Sequence, residues 1–383
     1  MQKCARTPAI LVVTVLFLVL VATPGCTKTS DLEVEWERTF DGLTPVSIFE
    51  GSDGVYAVGC ASKILLISAD GHLLSDHPID AGTAFSVEPT PDGGYMCAGQ
   101  DTLVKLDLKF DVEWRAEPVE YGILAAEPTV DGGYILGGCT GYTNDYKYTL
   151  CTAVIRLAKV DCVAAMQWQK VIAIDALCDE SPVSVQQTPD AGYVILACSN
   201  SPGSWSGYCT HPSLIRTDGE GNVIWVKTFD GGSLKSVQQT SDGGFVMAGT
   251  QWGTSADEVD LGWLVKTSST GDVEWEKTFA SGAFYSVHLA SDGGYILGGG
   301  EYNDNPWSPL PWLVKTDSVG ELQWQKNFGR QYQAEDDRLD KGISVQQTSD
   351  GGYVVLAVKR RFEYDIAPGY FEDDLWLIKM KSD

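Results

Sequence analysis

Few residues in this chain have the spacing that catalysis needs. Its four histidines are His72, His77, His211 and His288, and none lies in a nucleophile or metal-ligand motif. No Gly-x-Ser-x-Gly elbow and no phosphate-binding glycine loop occurs. Paired carboxylates could serve a glycosidase or a lyase. With 52 Asp and Glu in the chain, however, such pairs arise by chance. The acidic segments lack the alternating Asp/Asn spacing of a calcium loop, so neither a metal nor a cofactor is expected. The residues point to a protein without enzymatic activity.

Binding chemistry is better represented. Trp205, Tyr208, Trp252, Tyr302 and Trp307 stand in variable segments, outside the repeated pattern described below, with Glu301 and Asp304 among them. Aromatic rings with polar neighbours stack on sugars or insert into a protein partner at low entropic cost. The alternative is that they fold back and cover the ends of the strands. Lys and Arg total 27, for a net charge of −25, so a polyanion is repelled and nucleic acid is not an expected partner.

The first residues read as an address. Lys3 and Arg6 precede an apolar stretch from Ala9 to Ala22, followed by Thr23-Pro24-Gly25-Cys26. A small residue before a cysteine at this place resembles the lipobox of prokaryotic lipoproteins, with Thr23 where that family usually has Leu. The resemblance implies lipidation at Cys26 and an exported protein held at the cell envelope or surface by its lipid anchor alone. Ordinary signal cleavage nearby and an uncleaved anchor are the alternatives. The expected division is a signal peptide over 1–25, a linker over 26–33 and one domain over 34–383. No apolar run long enough for a second membrane span follows residue 31. In an oxidising compartment, disulfides are the natural use of the cysteines. The spacing predicts Cys139–Cys151 and Cys198–Cys209, each closing one loop and contributing roughly 3 kcal/mol by chain entropy.

These residues must be positioned by a repeated framework. With 44% hydrophobic and 21% charged residues, 41 glycines and abundant aromatics, the composition is that of an all-β protein with a sizeable core. One element recurs seven times: SVQQTSDGGYVV at Ser344, with relatives at Ser47, Ala125 and Ser86, Ser184, Ser236 and Ser286. Its turn aspartates are Asp53, Asp92, Asp131, Asp190, Asp242, Asp292 and Asp350, spaced 39, 39, 59, 52, 50 and 58 residues apart. A period of this length made only of strands predicts a β-propeller. Each unit divides into strand A (SVQQT), a tight Asp-Gly turn, strand B (GYVIL), strand C (WLVKTD) and strand D (VEWEKTF). The strand-D tryptophans Trp36, Trp114, Trp168, Trp225, Trp275 and Trp324 are expected to pack between neighbouring blades.

The last repeat ends at strand C, while Val34–Phe40 is an orphan strand D. The N-terminal strand should therefore complete the C-terminal blade, closing a seven-bladed, monomeric ring. On such a ring the B–C and D–A loops share one face, and the candidate aromatics all lie in B–C loops. Trp205, Trp252 and Trp307 occupy that loop in successive repeats, which predicts a shallow aromatic platform. His288 replaces a repeat glutamine in strand A, where it either faces a central channel or is a solvated or core histidine.

The SDGGY hairpin, the WLVKTD strand and the tryptophan strand together resemble exported β-propeller repeat proteins of bacteria and archaea, many of them lipoproteins. Asp317–Trp324 is also distantly similar to the tryptophan-docking repeat of quinoprotein-like propellers. No two cysteines are adjacent, so the quinoprotein enzyme's cysteine ring is missing. The resemblance implies a surface propeller that binds a glycan or an envelope protein. An envelope assembly scaffold is the second reading, and a propeller glycosidase, lyase or quinone-dependent dehydrogenase the third.

Overall fold

The computed structural model describes residues 32–51, 54–79, 84–139, 154–172, 180–199, 211–253, 259–302, 309–328, 341–363 and 370–382. Every regular element among them is a strand. The first, β1 (Val34–Phe40), stands apart from the first repeat, which supplies β2 (Pro45–Glu50), β3 (Tyr56–Cys60), β4 (Lys63–Ile67) and β5 (Leu73–Pro78). Repeat 2 forms β6 (Ala84–Pro89), β7 (Tyr95–Gly99), β8 (Leu103–Leu106) and β9 (Val112–Ala116). Repeat 3 forms β10 (Gly122–Pro128), β11 (Tyr134–Cys139), β12 (Ile155–Val160) and β13 (Met166–Ile172). Repeat 4 forms β14 (Glu180–Gln187), β15 (Tyr193–Ser199), β16 (His211–Thr217) and β17 (Val223–Thr228). Repeats 5 and 6 run through β18 (Gly232–Gln239), β19 (Phe245–Gln251), β20 (Leu261–Thr267), β21 (Val273–Leu289), β22 (Tyr295–Glu301), β23 (Leu310–Thr316) and β24 (Leu322–Asn327). Repeat 7 closes the chain with β25 (Lys341–Gln347), β26 (Tyr353–Glu363) and β27 (Tyr370–Met380).

These strands form six antiparallel sheets, five of four strands and one of seven. The larger sheet departs from the sequence expectation. Strand D of repeat 5 and strand A of repeat 6 were expected to be separate, yet β21 runs 17 residues through both. The connection Ala280-Ser281-Gly282 is short enough to stay in the ladder, with Ser281 opposite Leu261 and Gly282 opposite Glu301. The split repeat is resolved as expected: Phe40 pairs with Leu375 and Arg38 with Leu377, giving the order β1-β27-β26-β25.

The A–B turn is built the same way in each well-kept repeat. In repeat 5 the Thr240 hydroxyl donates to Asp242 Oδ1 at 2.5 Å, and the Gly244 amide donates to the same oxygen at 2.8 Å. Gly243 between them has φ +82°, which side chains with a Cβ adopt only at a cost. Repeat 4 places Ala191 at that position with φ +63°.

The tryptophans lock each sheet to the next. Trp114 meets Tyr134 edge-on at 5.7 Å between ring centres, Trp168 meets Tyr193 at 5.8 Å, and Trp225 meets Phe245 at 6.0 Å. Trp275–Tyr295 and Trp324–Tyr353 continue the series. Trp36 of β1 meets Tyr56 of β3 at 6.0 Å, so the sheet holding the C-terminus also packs on the first repeat. Repeat 1 has Ser75 in place of the tryptophan. There Phe110 fills the gap, stacked between His77 at 4.3 Å and Tyr95 at 5.1 Å. The first strands of the repeats lie against one another in chain order, and β25 also touches β2.

A second interlock had escaped the sequence reading. The lysine of WLVKTD turns inward and is buried, meeting the turn aspartate of its own repeat. Lys105–Asp92, Lys159–Asp131, Lys266–Asp242, Lys315–Asp292 and Lys379–Asp350 lie 2.7–3.0 Å apart. Arg216 substitutes in repeat 4, 2.5 Å from Asp190. Repeat 1 has the apolar Leu66 at this register, opposite Ala57.

Candidate functional site

The third residue of SVQQT sits on the innermost strand of each repeat. Read around the molecule, this position is Phe49, Glu88, Glu127, Gln186, Gln238, His288 and Gln346. The first six line a central cavity of about 520 Å3, together with residues such as Ser47, Ser184, Tyr285 and Ser344, so strands from all seven repeats contribute. The serines and glutamines stitch neighbouring strands together. Ser47 Oγ donates to the Val87 carbonyl at 2.7 Å, and the Gln239 amide donates to Gln186 Oε1 at 3.1 Å. The same geometry joins the Gln187 amide to Glu127 Oε2 at 3.2 Å. The last and first repeats are also joined: Ser349 donates through its amide and hydroxyl to Glu50, at 2.6 and 2.9 Å.

The cavity concentrates unusual titration. Burial pushes the Glu88 carboxyl up to about 8, against the pull of a hydrogen bond from Ser86. Burial, reinforced by the negative charge of Glu88 in the adjacent repeat, lifts Glu127 to about 8 as well. Burial lowers His288 to about 4, so its ring is neutral at physiological pH. Tyr285 is shifted upward by burial and by the hydroxyl of Tyr302, which bonds it. Among the described lining residues none is Lys or Arg. The cavity therefore holds two neighbouring carboxyls that stay largely protonated, and so neutral, near pH 7, with no fixed cation beside them among the described lining residues. Sequence reasoning noticed His288 as a departure from glutamine but not the two glutamates. Aligning the repeats at that one position is the signal that finds them.

The loop candidates are only partly placed. Trp205, Tyr208, Asp304 and Trp307 lie outside the described residues, as does Cys26. Trp252 and Tyr302 are half-buried, at the ends of β19 and β22. Their amides bond back to the strand A side: Trp252 N–H to the Gly231 carbonyl at 2.9 Å, and Tyr302 N–H to Ser281 at 2.8 Å. Through Tyr285, Tyr302 joins the loop region to the cavity, a link the sequence did not reveal. Glu301, expected as an acceptor for a ligand, accepts from the Asn327 side chain on β24. Cys139 ends β11 and Cys198 is the last residue but one of β15, but their side chains, with Cys151 and Cys209, lie outside the described residues. Cys60, Cys97 and Cys162 are free thiols, and burial drives the first two up to about 12, so they are inert.

No family model matches the chain, and no curated protein matches it. Solved structures do. The chain is similar to the Dos1 propeller at 7% identity and TM-score 0.56, with 92% of this chain and 96% of that one covered. The Neurospora crassa Pan2 WD40 domain matches at 10% identity and TM-score 0.55, covering 89% and 90%. BBS1N, solved in complex with ARL6DN, matches at 11% identity and TM-score 0.56, covering 92% and 97%. The fold is that of a β-propeller. At these identities the likeness concerns architecture alone.

Proposed function

We propose that the chain is a closed, seven-bladed propeller that acts without catalysis as an exported binding scaffold. Cys26 carries its lipid anchor, and the B–C/D–A face takes a glycan or protein partner. The seven repeats supply the blades once β21 is divided between repeats 5 and 6. Closure is supported by Trp36 on Tyr56, Ser349 on Glu50, and β25 against β2.

One observation carries the binding reading: the residues that hold the ring together are repeated, while the connections on one side are not. The Trp–Tyr and Lys–Asp interlocks recur from repeat to repeat. The B–C connections, by contrast, run from the two residues Ala61-Ser62 to the segment 140–154 between β11 and β12. A rigid frame with one variable face is how binding loops are presented. Trp205, Tyr208, Trp252, Tyr302 and Trp307 are the proposed contact residues, with Asp304 and Glu301 as acceptors. BBS1N, a structural neighbour captured with a protein, supports a protein as one class of partner.

The test is a glycan array and a cross-linking capture on intact cells, each run with wild type and Trp252→Ala. The expected result is a saturable partner whose affinity falls by roughly tenfold in the variant, with an unchanged melting temperature. Equal binding by both proteins, or no partner in either format, overturns the assignment.

A further inference from the structure

The central cavity has a chemistry that the loop face does not share. We propose that it is a second binding site, specific for a small organic cation bearing a primary ammonium group, held between Glu88 and Glu127. The proposal stands apart from the loop-face reading, because strand A side chains line the cavity.

Three observations carry it. First, Glu88 and Glu127 come from adjacent repeats and line one cavity, with no Lys or Arg among its described lining residues. Lys235 on β18 is next in sequence to Ser236 but is exposed and is not among the lining residues. Second, further acceptors lie at this register of the innermost strands. His288 lines the cavity as a neutral ring with a nitrogen able to accept, and Gln346, at the same register in repeat 7 though not itself a lining residue, has a buried Oε1 with no hydrogen-bond partner among the described residues. An ammonium offers three donors and no acceptor, which matches that set. Third, Phe49 and Tyr285 add aromatic surface to the same cavity, and ring faces attract ammonium groups. A metal ion fits less well, because no group of three or more metal-ligating side chains is found among the described residues.

Binding must release a proton. Before a cation enters, the carboxyls are held largely protonated by burial, and Glu127 also by the negative charge of Glu88. An incoming ammonium favours the carboxylate form, so a Glu O–H proton leaves to solvent while the ammonium keeps its own three. The entering positive charge replaces the departing one, and the cavity's net charge is conserved.

The experiment is calorimetric titration of the folded protein with putrescine and with spermidine. It is run in about 0.15 M salt, where a loose ion atmosphere on the acidic surface is screened, and in two buffers of different ionisation enthalpy. The expected result is saturable binding of one molecule with release of about one proton near pH 7. Glu88→Gln/Glu127→Gln places at these sites the residue that repeats 4, 5 and 7 already carry, so it should fold. It should bind at least tenfold more weakly and release no proton. Absence of saturable binding by either amine overturns the proposal. So does binding without proton release in the wild-type protein, a result that needs no variant. Undiminished binding in a double variant that melts like wild type also overturns it.

Discussion

The ion pair Lys266–Asp242 is a sharp test of how this fold stores stability, because its partners are unequally buried. The Lys266 side chain is only 4% exposed, whereas Asp242 and its second partner Glu274 are 58% and 45% exposed. The ammonium also donates to the Thr267 carbonyl at 2.9 Å. Lys266→Met removes the buried charge and leaves two acids that water can still solvate. Its cost should be about 1 kcal/mol or less, since apolar replacement of a buried ion is often near neutral; repeat 1 carries Leu66 at this register. Asp242→Asn keeps a side-chain oxygen for the Thr240 and Gly244 bonds but strips the ammonium of its nearest anion. That leaves a buried cation under-compensated and should cost about 2–3 kcal/mol. Asp242→Ala also loses the turn bonds, adding about 1 kcal/mol. Urea unfolding of the three variants near pH 7 gives the order directly. Because Asp242 is held down to about 2, with burial opposing and the Thr240 and Lys266 bonds winning, it stays ionised throughout that assay. If Lys266→Met proves more damaging than Asp242→Asn, the pair stabilises by Coulomb attraction rather than by sparing a buried cation, and this reasoning fails.

Three further outcomes are expected. Removing residues 27–40 takes away β1, its ladder to β27 and the Trp36–Tyr56 contact; the truncated protein should melt far below the intact one, and equal melting would refute closure by this strand. Ala191→Gly relieves a left-handed backbone at φ +63° and should stabilise by about 1 kcal/mol in the same urea assay; a destabilised variant would show that the turn is not strained. Glu88 and Glu127 are raised from 4.5 to about 8, so the stability they confer is full below about pH 4.5 and is lost as pH rises toward 8. His288, lowered from 6.5 to about 4, contributes above pH 6.5 and loses its contribution as pH falls toward 4. Urea midpoints should therefore fall between pH 6.5 and 8, and Glu88→Gln/Glu127→Gln should flatten that limb. A limb unchanged by the double variant would place its origin elsewhere.

What the sequence made legible was whatever repeats. The Asp-Gly turns, the strand-D tryptophans between sheets and the pairing of Val34–Phe40 with the C-terminal strand all follow from aligning the copies. The continuous β21 did not, because a strand that bends through two repeats has the same alternation as two strands with a short link. The Lys–Asp interlock was present in the letters WLVKTD and SDGG, yet no one-dimensional pattern says that a lysine in an alternating strand faces inward. Hydropathy argues the opposite, and only the 3.0 Å approach of Lys105 to Asp92 and its counterparts resolves it. The glutamate pair was missed for a related reason. In a chain this acidic, two carboxylates attract no notice until the register places both at one level of the innermost strands.

Repetition also says where function should be sought. A residue kept in most copies is explained by the packing of sheet on sheet: Val87, Val185, Val237, Val287 and Val345 are buried against the preceding repeat, and each strand-D tryptophan has its tyrosine or phenylalanine. A copy that departs from consensus is either a repair or an adaptation. Ser75 for tryptophan is a repair, because Phe110 and His77 fill the same interface. Leu66 for lysine is another, since an apolar side chain suits the position the buried stem would take. Glu88, Glu127 and His288 for glutamine are different. They offset no other substitution, and each is costly where it stands, since burial works against the charged form of all three. Gln186 makes to the next strand the same stitch that Glu127 makes, so the frame does not require an acid there. Such residues, costly where they stand and lining the cavity, are what the proposed cation site would account for, and they set the innermost strands beside the loops as places to look for function.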